Sequence, residues 1–422
     1  MDAQKSSGKH YPRHAMAALE TAMGDTPVIC LLGPRQTGKS TLARQLEPER
    51  AYFSLDDAAI FSLAQADPAG FVASLPERVT LDEIQRVPAL LPAIKMAVDR
   101  KRTPGRFLMT GSANLLLLPQ ISESLAGRME IVNLYPLTEA EKERSAGLFL
   151  KNLLEGKLQP RLNPAAAPPD GGASLARRIV GGGYPEPLTR PPVRARQWHR
   201  HYVQAILQRD AGNIFQVRNL HELTRLMELL ALRTGKLLNT SGLAGELGMT
   251  RATTEHYLGV LERLFLVHRL PAWHRSAARR LVKTPKIHLV DSGLAATLSQ
   301  LTADDWMGQR ARFGHLLETF VLQQLLAQGG WLDPGLRFSC YRDKDQVEVD
   351  VVINRGRQVW GIEIKASSML TAGEARGLRR LAAQAGADFR GGVLLYAGAH
   401  AMHIGPAADK LLAMPLAALW EM

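Results

Sequence analysis

Short apolar runs, each ending on small or polar residues, recur through the first third of the chain. Residues 28–32 (Val-Ile-Cys-Leu-Leu), 79–81 (Val-Thr-Leu), 106–109 (Arg-Phe-Leu-Met) and 131–134 (Ile-Val-Asn-Leu) read as strands of a buried parallel sheet. A helix-like stretch over residues 42–46 follows the first of them, so residues 12–145 read as an α/β module. Residues 159–173, rich in Pro, Ala and Gly, read as an exposed hinge inside a linker over 146–180. Helical spacing dominates residues 181–300. There, residues 243–247, a turn at Gly248 and a helix opened by Thr250 and running over 251–264 have the spacing of a helix-turn-helix, with Leu258, Leu261 and Leu264 facing inward and Arg251, Thr254 and Glu255 outward. The strand-like residues 265–270 and the cationic stretch 275–286 then predict the wing of a winged helix. In the last unit, residues 301–422, segments 348–353 and 359–365 predict a β-hairpin joined by Asn354-Arg355-Gly356-Arg357.

The polar tips of the early strands carry the chemistry. Gly33-Pro34-Arg35-Gln36-Thr37-Gly38-Lys39-Ser40-Thr41 lies between the first strand and its helix, the setting of a phosphate-binding loop. Its glycines allow a tight turn, its N–H groups and the helix N-terminus attract phosphate, Lys39 reaches the β- and γ-phosphates, and Ser40 ligates Mg²⁺. The expected cofactors are ATP and Mg²⁺. After the second strand, Asp82 is placed to hold the Mg²⁺ through water and Glu83 to polarise the attacking water. Ser112 is the first choice for a γ-phosphate sensor, with Asn114 as the second. Arg128 stands where an arginine would stabilise transition-state charge, in cis or from a neighbouring subunit, which admits a homo-oligomer.

Composition narrows the partners. A formal charge of +12 and a pI near 9.8 attract polyanions, so nucleic acid, double-stranded DNA in particular, is the leading partner class. The basic, aromatic-bearing helix over residues 194–209 has two readings: a phosphate-backbone contact, or a face packed on the first module. Cys30 and Cys340 lie in apolar segments without metal-ligand spacing and read as buried thiols. No stretch offers eighteen uninterrupted apolar residues and no signal region opens the chain, so the expectation is a cytoplasmic protein without a membrane partner.

A second acidic constellation lies in the hairpin. With a four-residue loop, Val349 would pair with Ile362 and Val351 with Trp360, placing Glu348 opposite Glu363 and Asp350 diagonal to it, with Lys365 on the same face. Clustered like charges predict a cation among them, and a divalent metal there would activate water for phosphodiester hydrolysis with Lys365 assisting.

The loop at 33–41, the Leu81-Asp82-Glu83-Ile84-Gln85 strand end, Thr110-Gly111-Ser112, Leu125-Ala126-Gly127-Arg128 and the segment 135–141 (Tyr-Pro-Leu-Thr-Glu-Ala-Glu) resemble a branch of the AAA-type ATPases. One departure is the lack of a second-sensor arginine in a recognisable helical lid. The Asp-bearing strand followed by Glu363-Ile364-Lys365, with Glu318 in the preceding helix, resembles the PD-(D/E)xK nuclease fold, although Val349 stands where that pattern has proline. This resemblance implies Glu318, Asp350 and Glu363 as metal ligands and Lys365 as the catalytic lysine. The full order, with Gly183-Tyr184-Pro185, Lys283-Thr284-Pro285-Lys286 and Val290-Asp291-Ser292-Gly293-Leu294, resembles ATPases that carry the C-terminal domain of unknown function 4143. The implied architecture is α/β: an N-terminal AAA-type P-loop parallel sheet, a central helical and winged-helix region, and a C-terminal PD-(D/E)xK-like α/β domain. The implied function is an ATPase that engages DNA, with Mg²⁺-dependent cleavage in question. The alternative is a nucleotide-gated regulator that binds a protein partner through an inactive nuclease-like domain.

Overall fold

Neighbouring residues of Val28–Leu32 (β1) point to opposite faces of one sheet, as the period of two along a strand requires. Ile29 and Leu31 pack with Leu19, Ala22 and Met23 of Ala15–Asp25 (α1), and with Leu42 of Lys39–Leu46 (α2). Val28, Cys30 and Leu32 join Leu90, Leu91, Ile94 and Val98 of Leu90–Arg100 (α3) on the other face. This is a computed structural model describing residues 11–112, 125–162, 172–212, 217, 219–276, 284–371 and 373–422. Asn114, residues 163–171 of the hinge and residues 277–283 of the cationic stretch lie outside the described residues.

The sheet has the order β2-β3-β4-β1-β5, with Ala51–Ser54 (β2), Val79–Asp82 (β3), Phe107–Gly111 (β4) and Met129–Asn133 (β5), every pairing parallel. Leu32, Asp82, Gly111 and Asn133 therefore end at one edge, where the loop after β1 also emerges. The edge strand β2 escapes the apolar pattern because its residues are only half-buried.

Glu139–Glu143 (α4) follows the sheet, and Ala173–Gly181 (α5) and Pro192–Ile206 (α6) open the central region. His199, Tyr202, Val203 and Ile206 of α6 are buried, and the chain continues into a π-helical turn over Leu207–Ala211. Leu220–Ala231 (α7), Lys236–Leu237 (β6), Thr240–Leu247 (α8), Arg251–Arg263 (α9), Val267–Leu270 (β7) and Lys286–Leu289 (β8) come next, their strands forming an antiparallel sheet in the order β6-β8-β7. Thr250 caps α9 by accepting from the Thr253 N–H, and Leu258, Leu261 and Leu264 are buried as the spacing predicts. Thr254 corrects the expectation of an outward face: it is fully buried, with its hydroxyl donating to the Thr250 carbonyl at 3.0 Å. Lys286, the end of the cationic stretch, is likewise buried, inside β8.

Ser292–Leu298 (α10) and the long Arg310–Leu332 (α11) lead into a sheet ordered β13-β14-β12-β11-β10-β9. Its strands are Arg337–Arg342 (β9), Glu348–Arg355 (β10), Gln358–Lys365 (β11), Phe389–Tyr396 (β12), Met402–His403 (β13) and Leu411–Pro415 (β14), and Arg376–Ala385 (α12) connects the parallel pair β11 and β12. One core runs through the central and C-terminal regions, from Phe149 through Leu226, Leu261 and Phe320 to Trp420. The hairpin register differs from the expected one. Val351 pairs with Ile362 and Ile353 with Trp360, because Gly356, at φ +58, lets the chain reverse over Gly356-Arg357 alone. Extended along the strands, that register sets Asp350 opposite Glu363 and Glu348 opposite Lys365. The polar face survives the shift because it is a shift by an even number of residues.

Candidate functional site

The loop after β1 turns at Gly38, whose φ of +95 starts α2 with its free N–H groups facing the sheet edge. Lys39 is buried and donates to the carbonyls of Gly33 at 2.9 Å and Pro34 at 2.7 Å. Burial pushes its ammonium down to about 8, against the opposing pull of Glu83. The Ser40 hydroxyl lies 3.1 and 3.2 Å from the two oxygens of Asp82, and the Thr110 hydroxyl donates to the same carboxylate. A hydroxyl and a carboxylate held this close, beside a phosphate-binding loop, are donors suited to a Mg²⁺ ion.

Glu83 sits at φ +60, a strained conformation for a residue with a long side chain and one that recurs at functional sites. Its carboxylate accepts from Ser112 Oγ at 2.9 Å and from the Gln85 amide, and its other oxygen lies 3.6 Å from Arg35. Sequence and structure thus bring Gly33 through Thr41, Asp82, Glu83 and Ser112 to one edge. Arg128 is not brought there. It precedes β5 at the opposite end of the parallel sheet and pairs with Asp99 of α3, so a role in cis is corrected by the strand direction.

Helix α6 and the π-helical turn after it close the site. Trp198, His201, Tyr202, Ala205, Ile206 and Arg209 face Arg35, Lys39, Ser40 and Glu83 across a cleft of about 550 Å³. Tyr202 donates its hydroxyl to the Arg35 carbonyl at 3.1 Å, while the Arg35 guanidinium makes a two-pronged pair with Asp210 at 2.5 and 3.1 Å. The basic aromatic helix is therefore packed on the first module, and it supplies the lid that no motif had announced. Arg209 is its half-exposed arginine, 3.0 Å from Asp56. The rings of Trp198 and Tyr202 stack at 4.9 Å and lean on Tyr184.

Arg13, which sequence reasoning missed, and motif residues named only for the family resemblance hold the loop in place. Arg13 donates to the Thr37 carbonyl at 2.5 Å, to the Tyr135 carbonyl at 2.7 Å and to the buried Glu141 at 3.0 Å. Glu141 also completes a capping box with Thr138, which explains the acidic residue of the segment 135–141. Asp291 accepts from the Gly183 N–H at 2.6 Å, and the Gly183 carbonyl accepts from the Leu137 N–H at 2.7 Å. A Cβ at Gly183 would meet the Leu137 carbonyl at 2.3 Å, so the close approach requires glycine there. These motifs scaffold the cleft; Glu141, Gly183 and Asp291 were legible only as parts of the family motifs, and nothing local announced Arg13.

The hairpin carboxylates do converge, on a lysine. Lys286 lies 2.8 Å from Glu318, 3.2 Å from Asp350 and 3.5 Å from Glu348, and it is nine-tenths buried or more, at 4% exposure. Its ammonium is held above the ordinary range by Asp350, Glu318 and Glu348 despite the opposing effect of burial. Glu363 pairs with Lys365 at 2.8 Å, and Asp350 also accepts the Ile364 N–H at 2.9 Å. Burial and the neighbouring Asp350 raise Glu363 and Glu318. The centre expected to take a divalent metal is thus filled by an ammonium, and among the described residues no group of three or more His, Cys, Asp or Glu is arranged to hold a metal ion. The residues as arranged do not fit the metal.

Strand order, phosphate loop and the acidic tips beside it define an AAA-type P-loop ATPase. The chain matches an AAA domain over residues 25–142, a domain of unknown function (DUF8612) over 172–305 and a domain of unknown function (DUF4143) over 313–419. It is 30% identical over 408 residues to the uncharacterized protein Rv2008c of Mycobacterium tuberculosis, covering 96% of this chain and 83% of that protein. The corresponding uncharacterized protein of Mycobacterium bovis matches to the same extent. The chain belongs to the family of these mycobacterial proteins. Among solved structures, a Walker-type ATPase of Pyrococcus abyssi is 15% identical with a TM-score of 0.39, over 71% of this chain and 98% of that one. DnaA of Aquifex aeolicus bound to AMPPCP is 14% identical with a TM-score of 0.28, over 59% and 85%. Among the described residues no helix is long and apolar enough to cross a membrane.

Proposed function

We propose that this ATPase is a nucleotide-gated, DNA-engaging protein whose nuclease-like C-terminal domain does not cut. The single observation that carries the gating is the cleft itself: its floor comes from the AAA sheet, and its roof from α6 and the π-helical turn of the central region. In this reading ATP and Mg²⁺ occupy the cleft, held by Lys39, Ser40 and Asp82, with Glu83 polarising the water and Ser112 beside it. The order α7-β6-α8-α9-β7-β8 supports a winged-helix unit, and the positive charge supports a polyanion as its ligand. The antiparallel-to-parallel sheet with Glu318, Asp350, Glu363 and Lys365 on adjoining elements supports the PD-(D/E)xK resemblance. Lys286 at its centre supports an idle one.

A second reading, capture of a protein partner, is favoured by the thin reading surface of α9. Thr254 is buried and Glu255 is engaged by Thr240 and Arg269, which leaves Arg251, Ala252 and His256 exposed along its first half. One set of assays separates these readings. Glu83→Gln is expected to retain ATP and lose turnover by about 10²–10⁴-fold. Duplex DNA affinity is expected to fall steeply with added salt, and plasmid to remain intact with Mg²⁺ present. A flat salt response moves the function to a protein partner; nicking that vanishes in Glu363→Ala overturns the idle domain.

A further inference from the structure

We infer that Arg35 is a positioning residue that ties nucleotide occupancy to release of the π-helical turn Leu207–Ala211: it is shared between Asp210 and the site of the γ-phosphate. The inference rests on the ATPase reading and adds the element through which the cleft signals.

Arg35 belongs to the phosphate loop, yet its guanidinium pairs with carboxylates outside the loop. Two of its nitrogens hold Asp210, at 2.5 and 3.1 Å, and a third lies 3.6 Å from Glu83. Glu83 is the group placed to polarise the water that attacks the γ-phosphorus, so a γ-phosphate beside that water is within reach of the same guanidinium. A phosphate offers several charged oxygens to an arginine fork and competes directly with a carboxylate. Asp210, for its part, is 3% exposed, and its ion pair among the described residues is with Arg35. A buried carboxylate that loses its cation is driven toward water.

Asp210 also sits in the π-helical turn that continues α6, a segment suited to move. The turn Leu207–Ala211 is π-helical, a wound-out geometry that can revert to the tighter α-helical one, and such turns recur at functional sites. The other end of the fastening, Tyr202 donating to the Arg35 carbonyl, uses a backbone atom whose position is set by the same loop. ATP arrival therefore acts on α6 from both ends: it recruits the Arg35 side chain and reorders the Arg35 peptide. Hydrolysis removes the γ-phosphate and returns Arg35 to Asp210. By linkage, anything that lifts the turn from outside raises the affinity for ATP by the same factor.

The test uses the full chain. Amide hydrogen exchange over residues 206–211 is measured in the wild type with no nucleotide, with ADP and with a non-hydrolysable ATP analogue, each with Mg²⁺. Faster exchange with the analogue alone is expected. In Asp210→Asn, which keeps the shape and removes the charge, the analogue should bind about tenfold tighter and KM for ATP should fall while kcat stays within twofold, because ATP no longer competes for Arg35. The Trp198 fluorescence of that variant without nucleotide should already match that of the ATP-bound wild type, with Trp198→Phe defining the tryptophan's share. A purely structural pair predicts the opposite: unchanged or weaker ATP binding in Asp210→Asn, and equal or slower exchange at 206–211 with the analogue. Should Asp210→Asn fail to fold, the wild-type exchange experiment decides alone. Analogue binding without a response at 206–211 overturns this inference and leaves the ATPase reading standing; absence of nucleotide binding overturns both.

Discussion

Two lysines, each buried among acidic side chains gathered from distant segments, mark two sites that differ in one respect. Lys39 spends its hydrogen bonds on the carbonyls of Gly33 and Pro34, groups that an incoming phosphate can replace without stranding a charge. Lys286 spends its own on Glu318 and Asp350, with Glu348 at ion-pair distance, and no anion can displace these without leaving carboxylates buried and unpaired. A cation held by neutral partners is poised for a ligand, whereas one held by ionised partners is already satisfied. The nucleotide cleft is thus open chemistry and the acidic cluster closed structure, although residue types alone offered a catalytic reading of both.

Breaking the closed site should have the larger effect. Lys286→Met leaves Glu318 and Asp350 facing one another and is expected to cost about 3–5 kcal/mol in chemical denaturation, since one partner of a buried ion pair has gone. A loss under 1 kcal/mol would mean that the cluster is wet and open to metal after all. The open site should answer in rate instead. Lys39→Ala is expected to lower ATP turnover by about 10²–10³-fold, as removal of one transition-state charge stabiliser does. Its unfolding free energy should move by only ~1 kcal/mol, because only hydrogen bonds to carbonyls are lost.

A pH series sharpens the contrast further. Burial holds Lys39 down to about 8 without nucleotide, and bound phosphate would keep it protonated, so above pH 8 binding takes up a proton. ATP affinity should then fall by about tenfold per pH unit above 8, read by calorimetry at fixed salt. Glu363 works in the other direction. Raised by burial and Asp350, it binds a proton in the folded state that the unfolded chain has released. Stability must therefore decline as pH rises above the ordinary carboxylate range, and Glu363→Gln should flatten that slope in thermal melts. The smallest effect belongs to Arg128. Its partly exposed pair with Asp99 is screened by solvent, so Arg128→Ala leaves stability nearly unchanged. A marked loss of turnover that depends on protein concentration would give Arg128 a role at a neighbouring subunit's cleft.

Much of this was readable along the chain because the information was local. The strand, loop and helix at 28–46, the acidic pair at 82–83 and the cap at Thr250 are each specified by residues within one turn or one strand of each other. The hairpin faces were readable for the same reason, but its register was not: whether the loop spans four residues or two depends on Gly356 adopting φ +58. Thr254 was misread because the helical face it shares is covered from a direction that periodicity does not report.

By itself the sequence determined that there is a phosphate-binding loop with its acidic partners, since backbone geometry and side-chain reach fix those roles over short spans. It also determined the order of the units, through family motifs that run from residue 33 to 294 and beyond. Only the tertiary structure decided what closes the cleft, where Arg128 lies and which cation sits among the carboxylates. Asp210 and Arg35 are 175 positions apart, and Lys286 and Asp350 are 64 apart. A charge is neutralised by whatever the fold brings within a few ångströms, and nothing in the local pattern of either residue names its partner.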